Sequence, residues 1–228
     1  MTSRRDVLKS IAIGTSALGL GAASSANADP QSDAGRKITL PPPISNEERG
    51  VRIAQAQTLM QEEGLAGIVI EAGTSMRYFS DLAWRQSSRL TALVIPAQGD
   101  PVVITPAFEE SKLRELMVMD MEVRTWNEHE SPFALIGGVL DDRDVSGAIG
   151  LERTTRFFVA EGLKSDVPGR EIVSASPVVS ALRQIKTTRE LDLMKAANAI
   201  TMAAYREIYP QVEAGMTGAD IGALMIEA

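Results

Sequence analysis

The residues of this chain best equipped for chemistry fall in two places. Trp84, Arg85 and Arg89 stand close together in one stretch. A guanidinium grips a carboxylate through parallel N–H donors, and an indole face accepts a cation or an apolar ring. The plainer reading is structural: Trp84 caps a sheet edge with an arginine stacked on its face. The second place is the one histidine, His129, within Trp126-Asn127-Glu128-His129-Glu130. An imidazole between carboxylates has the atom types of a metal ligand. Neighbouring residues on a strand or helix point apart, however, so its plain reading is a solvated or locally hydrogen-bonded histidine. Asp141-Asp142-Arg143-Asp144 reads as a solvated acidic loop, without the spacing and turn glycine of a calcium loop. The absence of cysteine excludes disulfides and thiolate metal sites, and a net charge of -7 argues against a nucleic-acid surface.

These side chains need a scaffold, and turn formers delimit it. Leu90 to Ile95 and Val102 to Ile104 are apolar runs joined by Pro96-Ala97-Gln98-Gly99-Asp100-Pro101, which predicts an antiparallel hairpin. Tyr78, Phe79 and Trp84 form an aromatic approach to it. Upstream, Ser45-Asn46-Glu47-Glu48 is a capping box that opens a helix ending at Gly64. Leu65 to Ile70 has no alternation and predicts a strand covered on both faces. Downstream, Phe108 to Met117 predicts a helix and Met121 to Thr125 a strand. A helix capped by Ser131-Pro132 is expected to run to about Leu140. Ala148 to Leu151 and Glu171 to Val173 read as strands flanking a helix over Arg156 to Leu163. The alternation predicts an α/β layered domain with a mixed sheet. A second domain is expected from Thr187, where Thr187-Thr188-Arg189-Glu190 caps a long helix closed by Pro210 and Gly215. Thr217 then caps a further helix, and its continuing pattern at Ala228 reads as a truncated domain.

The first residues belong to a different category. Ser3-Arg4-Arg5-Asp6-Val7-Leu8-Lys9 is a twin-arginine pattern, followed by a modestly apolar run and Ala26-Asn27-Ala28. Residues 1–28 are therefore expected to be a twin-arginine signal peptide cleaved after Ala28, giving a periplasmic or secreted protein handled by the twin-arginine export machinery. The apolar run falls short of the roughly 20 residues a membrane span takes. Residues 29–44, with Pro41-Pro42-Pro43, are expected to form an extended arm.

Several fragments together resemble one family, the creatinase and Xaa-Pro peptidase group of metallohydrolases. They are Tyr78-Phe79-Ser80, Arg89, Leu93 to Pro96, Gly99-Asp100-Pro101 and Pro106-Ala107-Phe108-Glu109. Leu182-Arg183-Gln184-Ile185-Lys186-Thr187 and Glu213-Ala214-Gly215-Met216-Thr217 resemble the start of its pita-bread catalytic domain. The resemblance implies a creatinase-like N-terminal domain over 45–183 and the first helices of a pita-bread domain over 187–228. It also implies a parent enzyme, a homodimer, that cleaves X-Pro bonds in proline-containing peptides. A pair of divalent metal ions (manganese, cobalt or zinc) would activate the water. The family's ligands, two Asp, one His and two Glu, have no counterparts here, so this chain alone is expected to be inactive. Its contribution would be a substrate entrance or dimer contact built from Trp84, Arg85, Arg89 and His129. Two alternatives stay open: a creatinase-type amidinohydrolase, with Arg85 or Arg89 holding a small carboxylate, and a non-catalytic peptidase-like binding module.

Overall fold

In the computed structural model, the structure describes residues 38–228; the twin-arginine segment and the cleavage point after Ala28 lie outside the described residues. The chain divides into two compact units, residues 38–205 and a second one whose described part is 206–228.

The first unit begins where local chemistry is strongest. The Ser45 hydroxyl accepts from the Glu48 amide, and the Glu48 carboxylate accepts from the Ser45 amide at 2.8 Å. This closes the expected capping box on α1 (Asn46–Glu62). Gly64 then takes φ +68°, and the chain turns into β1 (Leu65–Glu71), whose seven residues are all buried. Next come α2 (Thr74–Ser80), β2 (Ala92–Pro96), β3 (Val102–Pro106), α3 (Glu110–Leu116), β4 (Glu122–Trp126) and α4 (Pro132–Asp142). The unit continues with β5 (Ala148–Leu151), α5 (Phe157–Asp166), β6 (Ile172–Ser174), α6 (Ser176–Gln184) and α7 (Thr188–Ile208), the last continuing past residue 205.

The six strands form one mixed sheet in the order β4-β3-β2-β1-β5-β6. The hairpin pairs antiparallel, Leu93 opposite Val103, and β2 is also antiparallel to β1. The β1–β5, β5–β6 and β3–β4 pairs are parallel. Unbroken apolarity in β1 is explained by a core on each face. On one side Ile68 and Ile70 pack with Met60 of α1, Phe79 of α2, Leu113 of α3 and Val178 of α6. On the other, Ala66 and Val69 pack with Ile136 and Leu140 of α4 and Val159 and Leu163 of α5. Large side chains buried this way contribute about 1.5–3 kcal/mol each. The β1–β5 junction depends on Gly147, at φ +121°, where an added Cβ would lie 2.3 Å from the Gly64 carbonyl oxygen.

Two helices depart from the reading of the sequence. Tyr78-Phe79-Ser80 lies in α2 rather than in an irregular approach to the hairpin, because Met76 and Phe79 on one side of a short helix fill the first core. Ser176 to Gln184 is α6, with Val178 and Val179 buried and Pro177 in its first turn. At the start of α7, Thr187 and Glu190 close a second capping box. In the second unit α8 (Gly218–Glu227) is opened by Thr217, whose hydroxyl accepts from the Asp220 amide. Among the described residues no helix is long and apolar enough to cross a membrane.

Candidate functional site

Strand register decides which loops meet. Glu71 pairs with Ala92, Pro106 with Trp126 and Leu151 with Ser174. The carboxyl ends of β1, β3, β4, β5 and β6 and the amino end of β2 therefore share one side of the sheet. In open α/β sheets the crevice beyond the carboxyl ends of the strands is where ligands bind. Here it carries both loops singled out in the sequence.

The loop before β2 and the turn after β4 are tied together. Arg89 Nε donates to Glu128 Oε1 at 2.8 Å, and Trp126 Nε1 donates to the Leu90 carbonyl at 3.2 Å. His129 is exposed in the Asn127–Glu130 turn, where the Glu130 amide donates to the Asn127 carbonyl at 2.8 Å. The Glu130 carboxylate in turn accepts from the Asn127 amide, which holds its pKa below the usual carboxylate value. So Arg89 and His129 do come to one rim, carried by different loops. Arg85 is exposed and its side chain makes no ion pair or hydrogen bond among the described residues.

Trp84 packs, partly buried, on the first core. The expected arginine stack on it does not form: Arg89 is drawn off by Glu128 and Arg85 faces solvent. Stacked guanidinium groups lie instead over Tyr78 (Arg52, 4.0 Å) and Phe158 (Arg156, 4.7 Å). Arg52 also donates to the Tyr78 carbonyl at 2.6 Å and to Glu190 at 2.9 Å, which ties the first turn of α7 to α1. Burial dominates at Tyr78 and raises its phenol pKa above the ordinary value.

Residues that the sequence did not single out complete this side. Buried Glu71, at the end of β1, accepts from the Arg156 backbone amide (2.7 Å) and Nε (2.8 Å). Arg156 Nη1 reaches the Ser87 carbonyl and so pins the Trp84–Arg89 loop. Beside it, Arg183 donates to the buried Ser75 hydroxyl at 2.6 Å, and that hydroxyl donates to Glu152. Of these, Arg183 and Glu152 stand in fragments that resemble the family, Leu182 to Thr187 and Gly150-Leu151-Glu152. No pattern joins positions this far apart in the chain; the only local hint was that each charge adjoins a strand or helix end. Glu71, Ser75, Glu152 and Arg183 line a cleft of about 490 Å³. A metal pair does not fit: among the described residues no group of three or more His, Cys, Asp or Glu converges to hold an ion.

Known proteins share this architecture. The chain is 29% identical over 179 residues to a probable dipeptidase PepE of Mycobacterium tuberculosis, an alignment covering 78% of this chain and 47% of that protein. The crystal structure of dipeptidase PepE from Mycobacterium ulcerans superposes with a TM-score of 0.65 at 27% identity, covering 82% of this chain and 50% of that one. A prolidase from Thermococcus sibiricus has the same fold, with a TM-score of 0.67 at 21% identity over 81% of this chain and 49% of its own. The chain thus spans about half the length of the curated relatives it matches. Its residues 52–185 match the family described as the Creatinase/Prolidase N-terminal domain, more than half of the chain, and with the mixed sheet described above this chain belongs to that family.

Proposed function

We propose that this chain is the N-terminal part of an exported Xaa-Pro peptidase-like metallohydrolase. Residues 1–28 would be its twin-arginine signal, 29–44 an arm, 45–183 the creatinase-like domain and 187–228 the start of a pita-bread domain. The observation that carries the reading is the shared rim at the carboxyl side of the sheet. There the Arg89–Glu128 bond ties the loop that carries exposed, uncommitted Arg85 to the turn that carries His129, in a fold whose relatives are dipeptidases. On this reading the rim shapes a substrate entrance, in a homodimer at the partner's catalytic centre. Arg85 is the residue free to meet a peptide carboxylate, and Trp84 lies one position before it. The metal pair (manganese, cobalt or zinc) would be held by the half of such a protein to which residues 38–228 do not correspond. There it would polarise the scissile carbonyl and activate water.

The test is hydrolysis of Xaa-Pro dipeptides by the native protein carrying this chain, with and without chelator and with manganese, cobalt or zinc restored. Chelator-sensitive cleavage supports the reading. Hydrolysis of creatine that survives chelation replaces it with an amidinohydrolase, for which exposed Arg85 would hold the substrate carboxylate. Peptide binding without turnover would make the protein a binding module.

A further inference from the structure

The cleft beyond β1, β5 and β6 has a charge balance unlike that of the whole chain. Five charged side chains line it: Glu71, Glu152, Arg153, Arg183 and Lys186, with Glu71 and Glu152 the only carboxylates among them. Both carboxylates are already engaged. Glu71 is enclosed by Arg156, with an ion pair at 2.7 Å, and Glu152 accepts the Ser75 hydroxyl proton. Among the described residues the three cations have no carboxylate partner. Arg183 spends its donors on the Ser75 and Thr74 hydroxyls. Among the described residues Lys186 Nζ donates only to the carbonyls of Arg183 and Gln184. Arg153 is exposed and its side chain is unpaired among the described residues. In a chain of net charge -7 this is a concentrated surplus of positive charge on concave ground, which focuses the field on a small anion.

We propose that this cleft is a binding site for a small oxyanion, a carboxylate or a phosphate. Arg153 supplies the guanidinium fork that matches two oxygens of such a group. Lys186 supplies a second point charge on the lining, held at the end of α6 by the Arg183 and Gln184 carbonyls. The Arg183–Ser75–Glu152 chain is the rigid floor: Ser75 is 3% exposed, and its hydroxyl links a cation and an anion from separate elements.

The experiment is calorimetric titration of the 228-residue chain with inorganic phosphate and, separately, with succinate at low ionic strength. One saturable site is expected, weakening steeply as sodium chloride is raised. The Arg153→Gln and Lys186→Gln variants change exposed side chains, and because Lys186 Nζ also bonds the last carbonyls of α6, circular dichroism checks that each variant folds. Each is expected to weaken binding at least tenfold, and tighter binding of phosphate or of succinate identifies the source of the oxyanion. Absence of saturable binding by both anions overturns the proposal, as does binding that both folded variants retain unchanged. Neither result depends on whether the protein cleaves peptides.

Discussion

Two arginine–glutamate pairs stand on the same side of the sheet with nearly the same bond lengths, 2.8 Å for Arg89–Glu128 and 2.7 Å for Arg156–Glu71. Their surroundings differ. The Glu128 side chain is 61% exposed, whereas that of Glu71 is 4% exposed at the end of the central strand. An exposed pair gains little, because water solvates its separated charges almost as well. A buried carboxylate without its cation has no such refuge. Equal geometry therefore stands for different work: Arg156 holds the fold and the rim loop, while the exposed Arg89–Glu128 pair can open at little cost.

This contrast can be broken by measurement. Arg156→Met leaves Glu71 buried with only a backbone donor from Arg156 and is expected to cost about 3 kcal/mol in urea unfolding. A loss as small as that of an exposed pair would abolish the distinction. Ser75→Ala removes the hydroxyl between Arg183 and Glu152, both partly accessible, and is expected to cost about 1 kcal/mol by the same method. Arg89→Gln should change stability by roughly 0.5 kcal/mol or less, fading in salt. In the native protein it should act on KM for a peptide more than on kcat if the rim is a substrate entrance.

The smallest effect is expected from a third carboxylate, held by two arginines, which extends the scale below the other two. Glu122, on edge strand β4, has its pKa lowered from 4.5, first by the hydrogen bond from Arg124 and then by that from Arg143. A carboxylate with a depressed folded pKa contributes stability that is complete above its unfolded value. The contribution is lost as the pH falls from about 4.5 through the lower folded value. Thermal melts of the chain and of Glu122→Gln should therefore diverge near neutrality and converge on acidification; curves parallel across that window would refute the assignment.

The sequence was most readable where structure is set over three or four residues. Ser45 with Glu48 and Thr187 with Glu190 announced helix starts that the structure has, and the turn formers between Pro96 and Pro101 announced the hairpin. Unbroken apolarity of Leu65 to Ile70 was enough to expect cover on both faces. The short helices α2 and α6 escaped because two buried apolar residues apiece make no legible periodicity, and the sheet beneath them supplies what propensity does not. The Arg stack expected on Trp84 failed for a related reason. Adjacency in sequence put Arg85 and Arg89 near the indole, but Glu128, reached only through the β3–β4 pairing, took one of them.

The sequence by itself determined the alternation of strands and helices, the caps that start helices at Asn46, Thr188 and Gly218, the lack of thiol chemistry and the acidic balance. All of these rest on short-range stereochemistry or on composition. Only the tertiary structure decided that Ser75, Glu152 and Arg183 share a cleft, and that buried Glu71 is held by Arg156, 85 residues away. The physical reason is register. Parallel pairing of β1 with β5 and β5 with β6 sets their carboxyl ends level, so side chains from distant segments meet beyond them. No residue encodes that meeting alone, because it is a property of the whole sheet.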